Sequence, residues 1–223
     1  MAWGTNRAGV PWLIDPAHED EFEASLARGR VTLPDTDVFR VAYQPYALPS
    51  VDLTVNVQTD QAAVGERINA LLVARSSTGS AVQARVEFSP NGQYSLSLHE
   101  IIGGVYTTLG WAANIAAYAP STPVEVRFQV DDDYARVKSW PVATPEPDHW
   151  QVSVRTQVTE PGRVGLGAVR FAGNTNTNPE VSFGALRVPN PQQLRVARSV
   201  NRVVKPHSAG TDVRLARPSV VAL

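Results

Sequence analysis

Residues 124–130 alternate strictly, with Val124, Val126, Phe128 and Val130 pointing one way and Glu125, Arg127 and Gln129 the other. Apolar residues at every second position share a face only when the backbone is extended, so the stretch predicts a half-buried β-strand. Asp131-Asp132-Asp133 follows, and Asp tolerates tight turns and bonds its own backbone, so the triplet predicts a turn. A second strand is expected over residues 134–140. The pattern then ends in a proline-studded corner bracketed by Trp140 and Trp150.

Strand signals of this kind recur along the chain at short spacing. Leu53, Val55 and Val57 alternate with Asp52, Thr54 and Asn56. Residues 68–74 form a nearly continuous apolar run, which fits a strand covered on both faces. Residues 82–88 and 94–98 flank Pro90-Asn91-Gly92, and Asn-Gly is the strongest short hairpin signal. Further strands are expected over 105–111, 150–156, 162–169 and 181–188. Helical periodicity is confined to residues 19–27, a length that is marginal for an isolated helix. Many short strands separated by turns predict an all-β sandwich. Pro189-Asn190-Pro191 ends the pattern, because proline fixes the backbone and removes donors. The expected organisation is a sandwich over 1–189 and a C-terminal β-hairpin or extended arm over 190–223.

Composition bounds the function. With 43% apolar and 18% charged residues in 223, the chain has material for a real core. It has no cysteine, hence neither disulfides nor thiolate metal sites. Its net charge of −1 shows no commitment to nucleic acid or to an anionic membrane. No apolar run approaches the roughly 18 residues of a membrane span. No basic region followed by an apolar one opens the chain, so no secretory signal is expected. Charge is uneven, however. Residues 194–223 hold six basic side chains (Arg195, Arg198, Arg202, Lys205, Arg214 and Arg217) against Asp212, a net of +5. A weakly acidic body with a basic end predicts that the end meets a different partner. The alternative is a solvated basic end with none.

Catalytic patterns are poor. Glycosidases on β-sandwiches use alternating carboxylates on one strand, which places acid and nucleophile on the same side of a cleft. No such run exists here. The three consecutive Asp diverge from one another, His99-Glu100 lacks zinc-protease spacing, and His18, His99, His149 and His207 show no ligand pattern. No Gly-x-Ser-x-Gly elbow and no dinucleotide loop occurs. The expectation is a protein without catalytic residues, cofactor or metal. Binding features are richer. Tyr106 and Trp111 lie near strand ends, where an aromatic face suits the apolar face of a sugar ring. Trp111 reads either as an exposed platform or as a lid on the core. Asn174 and Asn176, in a loop of alternating Asn and Thr, offer amides to sugar hydroxyls or serve as turn material. Trp140 and Trp150 are expected beneath the corner at Pro141–Pro147.

Several motifs, in order, carry a resemblance. They are Trp3-Gly-Thr-x-x-x-Gly9-x-Pro-Trp12, the paired strands over 94–109, the hairpin with its Trp-bracketed corner, Gly162-Arg-Val-Gly165-Leu and Asn176-Thr-Asn178-Pro179. Together they resemble the concanavalin A-like (laminin G-like) jelly-roll domains of actinobacterial secreted proteins and of the tail proteins of their phages. The segment from Arg198 to Leu223 is similar to one at the ends of actinophage minor tail proteins, with Asn201-Arg202 where the usual form has Asn-Gly. The resemblance implies a concanavalin A-like jelly-roll β-sandwich serving as a phage virion structural protein, a minor tail or tail-tip component made in the host cytoplasm. Its partners would be other virion tail proteins, copies of itself and host cell-surface polysaccharide, with Arg198, Arg202, Lys205, Arg214 and Arg217 forming an assembly arm. The alternative is a carbohydrate-binding module without a virion role. A glycoside-processing enzyme ranks third for want of the carboxylate strand.

Overall fold

The computed structural model describes residues 3–6 and 9–187. All of these belong to the unit Met1–Pro189. The segment 190–223, with Arg198, Arg202, Lys205, Arg214 and Arg217, lies outside the described residues. Two antiparallel sheets face one another. The first runs β1 (Phe22–Ser25), β2 (Arg28–Thr32), β13 (Glu180–Arg187), β4 (Val51–Thr59), β9 (Val124–Asp131), β10 (Tyr134–Pro141) and β11 (Val152–Arg155). The second runs β3 (Arg40–Leu48), β12 (Gly162–Arg170), β5 (Ile68–Ser77), β6 (Ser80–Phe88), β7 (Gln93–Ile102) and β8 (Val105–Ala117). Strands distant in sequence lie side by side in both, β13 between β2 and β4 and β12 between β3 and β5, which gives a jelly-roll sandwich.

Both hairpins read from the sequence are present. β9 and β10 pair from Asp131↔Tyr134 to Val124↔Pro141, and Asp132 takes the left-handed conformation that the turn requires. At Pro90-Asn91-Gly92 the Asn91 side chain accepts from the Gln93 amide at 2.9 Å, and Gly92 adopts positive φ. The dry faces of β4 and β9 meet those of β5, β6 and β7 in one core, around Leu53, Phe128, Leu72, Phe88, Tyr94 and Leu96. Burying each such side chain contributes roughly 1.5–3 kcal/mol. On β12, a Cβ at position 167 would overlap the Arg40 carbonyl of β3, so close approach of the two backbones requires glycine there.

Two expectations need correction. Residues 19–27 do not form an α-helix; Pro16–Glu21 is a 3₁₀ turn capped by Asp15, and the chain then enters β1. The reason is burial: Phe22 is enclosed by Trp3 at 5.5 Å, whereas Leu26, its partner on any helical face, is 85% exposed in the β1–β2 turn. β2 and β3 were not anticipated either. Pro45 sits in β3, an edge strand, where a missing donor costs no ladder bond. Trp3 of the opening motif is buried against Trp12, Phe22 and Phe183 and donates its indole N–H to the Arg30 carbonyl at 2.8 Å. At the proline corner Trp140 is buried, as expected. Trp150 is half-buried and lies against the cations of Lys138 (4.9 Å) and Arg127 (5.6 Å), which Glu146 joins.

Candidate functional site

The two sheets treat their outer faces differently. Register across the six-stranded sheet aligns Leu71, Arg85, Ser97 and Trp111 in one row, and Val73, Gln83, His99 and Thr108 in the next. All of these point away from the main core, because their chain neighbours Leu72, Ala84, Val86, Leu96 and Leu98 point into it. One half of this outer face is covered. Phe39, before β3, and Phe171, after β12, close over Leu71, Val73, Ala81 and Val169 as a second apolar cluster. The other half is an open groove of about 550 Å³, floored by Arg85, Glu87, Ser97, His99 and Thr108 and walled by Trp111.

The floor is a chain of hydrogen bonds. Ser97 Oγ donates to Glu87 Oε1, and Arg67 Nη1 reaches Glu87 Oε2 at 2.5 Å. His99 Nε2 lies 2.8 Å from Ser97 Oγ, and its Nδ1 lies 3.2 Å from Thr108 Oγ1. A hydroxyl carries one hydrogen, and that of Ser97 goes to the carboxylate. His99 Nε2 therefore bears the imidazole proton and donates to Ser97, while Nδ1 accepts from Thr108. Burial, reinforced by the nearby Arg85 cation, depresses the His99 pKa to about 4, so the ring is neutral near pH 7. Arg67 also bonds Glu66 through Nε at 2.9 Å, and its N–H groups hold the Glu66 carboxyl below the usual carboxylate range.

Arg85 is the least expected member. Only 8% exposed, it lies against the rings of Phe39 (5.5 Å), Phe171 (5.5 Å) and Tyr106 (5.8 Å), and its Nε donates to Gln83 at 2.7 Å. Desolvation lowers its pKa, as burial of a cation must.

Of the residues singled out in the sequence, Trp111 is 60% exposed in the groove wall, so the core-lid alternative fails. Tyr106 is 49% exposed but stacks on Phe39 at 5.5 Å and closes the aromatic shell around Arg85. Asn174 and Asn176 are corrected. Both are buried, Asn174 Nδ2 donating to the Glu66 carbonyl and Asn176 Nδ2 to that of Ala62, while Asn176 Oδ1 accepts from the Val64 amide. Their amides pin the loop over residues 61–66 and are spent inside the protein. The groove floor was missed, although its signal is in the sequence. Gln83, Arg85 and Glu87 alternate with core residues on β6, and Ser95, Ser97 and His99 do so on β7, across a hairpin whose register the Asn-Gly turn sets. Among the described residues, no group of three or more His, Cys, Asp or Glu is placed to hold a metal ion.

No protein-family model and no curated protein sequence matches the chain. Solved structures do. The chain is similar to the carbohydrate-binding module CBM66 from Bacillus subtilis at 10% identity and a TM-score of 0.57, over 84% of this chain and 96% of that one. It is similar to the β-glucanase of Bacillus licheniformis at 11% identity and a TM-score of 0.59, over 82% and 93%. The exoplasmic/lumenal domain of VIP36 matches at 10% identity and a TM-score of 0.52, over 83% and 92%. At such identities the likeness is one of fold, and the fold is the concanavalin A-like jelly roll.

Proposed function

We propose that this chain is a non-catalytic glycan-binding sandwich that takes a saccharide in the groove of its six-stranded sheet. The observation that carries the reading is an exposed Trp111 standing beside a hydrogen-bonded chain of buried Glu87, Ser97 and His99 that ends at the exposed Thr108. Sugar recognition needs that pair of features, an aromatic face for the ring's C–H side and fixed polar groups for its hydroxyls. The shared fold with a carbohydrate-binding module is consistent with it. The non-catalytic part rests on Arg67. Glu66 and Glu87 both bond its guanidinium, and the Arg67 N–H groups hold the Glu66 carboxyl below the usual carboxylate range, whereas a glycosidase acid must hold a proton at working pH.

The wider role proposed is that of a virion tail component facing host wall polysaccharide, with residues 190–223 as the assembly arm. The order of motifs and the net +5 of residues 194–223 support it. Trp111→Ala should weaken binding to host wall polysaccharide by about 1–3 kcal/mol, the range for losing a stacked aromatic. No reducing sugar should be released. Turnover that survives purification and vanishes on Glu87→Gln would overturn the non-catalytic reading. For the virion role, deleting residues 192–223 should leave a cooperatively melting domain that no longer enters particles. Incorporation of the shortened chain at the normal level would remove that role.

A further inference from the structure

Four arginines are buried among the described residues, and their partners differ. Arg40 uses all three nitrogens on Glu21, Asp35 and the Val38 carbonyl. Arg170 uses all three on the carbonyls of Pro34, Asp35 and Asn176. Arg75 reaches the carbonyls of Pro49, Asp132 and Val158. Arg85 gives one bond, from Nε to the neutral Gln83 amide, and no carboxylate among the described residues comes within ion-pair distance of it. Three aromatic rings surround the cation, and ring faces attract charge but take no strong hydrogen bond. Both Nη groups, four N–H donors in a planar fork, have no protein acceptor among the described residues, in a side chain that lines the groove.

We infer that Arg85 is a carboxylate-recognition element and that the groove selects a sugar bearing a carboxyl group, placed on the Arg85 fork while its ring rests against Trp111. This rests on the glycan reading above and narrows it to acidic saccharides. A planar carboxylate is the acceptor that matches two parallel guanidinium N–H bonds. Register supports the geometry, since Arg85, Ser97 and Trp111 are consecutive members of one row across β6, β7 and β8. The groove's own carboxylates do not supply the missing partner. Glu87 is engaged by Arg67 and Ser97, Glu66 by Arg67, and Asp37 accepts from the Ala172 amide. An incoming anion therefore meets the one buried guanidinium among the described residues whose Nη groups have no protein acceptor, and it displaces little bound partner to do so.

The test is a binding panel with the full chain. Polygalacturonate, alginate and hyaluronate supply uronic acids, and glycan strands containing muramic acid supply a lactyl carboxylate. Each is paired with its carboxyl-reduced form, and a neutral β-glucan is added. At least one acidic member should bind the wild type about tenfold or more tightly than its reduced form, the scale of one charge-assisted bidentate contact. Whether the uronates or the muramic strands show the gap identifies the source of the carboxyl group. Arg85→Gln should bring the acidic and reduced forms to equal affinity, Arg85→Lys should retain part of the gap, and Trp111→Ala should weaken both forms by one factor. The wild-type gap needs no Arg85 variant, so a poorly folded substitution does not blunt the test. Equal binding of acidic and reduced forms overturns the carboxylate inference while leaving the glycan reading intact. Failure to bind any member of the panel, charged or neutral, overturns the glycan reading itself.

Discussion

On the outer face of the seven-stranded sheet most polar residues behave as surface residues, Lys138 beneath Trp150 and Ser182 excepted; on β6 and β7 of the six-stranded sheet they do not. Asp52, Arg127, Gln129 and Arg136 alternate with core residues on β4, β9 and β10, remain partly wet, and pair with one another, Arg127 holding Asp52 through two bonds of 2.9 and 2.7 Å. Gln83, Arg85, Glu87, Ser97 and His99 occupy equivalent alternating positions on β6 and β7 and are buried. The difference lies above the sheet. Phe39 and Phe171, carried by segments flanking β3 and β12, cover part of the second face and withdraw its neighbours from water. Polar groups kept dry carry a desolvation cost unless each finds a partner. Glu87, Ser97 and His99 find theirs in one another and in Arg67, whereas the Arg85 Nη groups find none among the described residues. Alternation therefore marks which residues face outward, and coverage decides whether outward means solvated.

Two substitutions put the largest effect on this contrast. Phe128→Ala in the shared core should cost about 3–5 kcal/mol, and Leu71→Ala beneath Phe39 and Phe171 about 2–5 kcal/mol. Chemical denaturation measures both. A Leu71→Ala loss below about 1 kcal/mol, in the range of surface changes, would mean that the second apolar cluster is no core and that the contrast between faces is false.

A smaller effect concerns His99. Its folded pKa of about 4 lies below the value of 6.5 for a free imidazole, so the unfolded chain binds the proton more readily between these limits. The stability tied to the neutral ring is fully present above about pH 6.5, falls as pH drops through the window, and is gone below about pH 4. The total is on the order of 3 kcal/mol at most. Carboxylates on both sheets also titrate in acid, so the measurement is the difference between wild type and His99→Gln in unfolding free energy across pH 4–7. Parallel curves would show that His99 is not held dry.

Smallest of all should be the stability changes on Gln129→Ala and Trp111→Ala, each within about 0.5 kcal/mol, since neither side chain is enclosed. A Trp111→Ala loss of several kcal/mol would place the indole in the core and remove the groove's aromatic wall.

Much of the architecture was legible residue by residue. The alternation of Val124, Val126, Phe128 and Val130 holds in β9, and the run over 68–74 is covered on both faces in β5. Asn91-Gly92 and Asp131-Asp132-Asp133 turn the chain where expected. The Asn-rich loop was legible as a loop but not as one whose amides face inward, because their partners lie more than 100 residues away. The stretch over 19–27 misled because Phe22 and Leu26 share a helical face in sequence, while only Phe22 has something to pack against.

Local rules therefore determined the strands from β4 onward, their dry faces and the two hairpins, since side-chain alternation and turn chemistry act over two to four residues. Which polar groups gather in one groove was decided only by the tertiary structure. That gathering depends on register summed across six strands and on two aromatic residues, Phe39 and Phe171, arriving from distant parts of the chain. Burial and the missing partner of Arg85 are properties of that assembly, and no short window of sequence contains them.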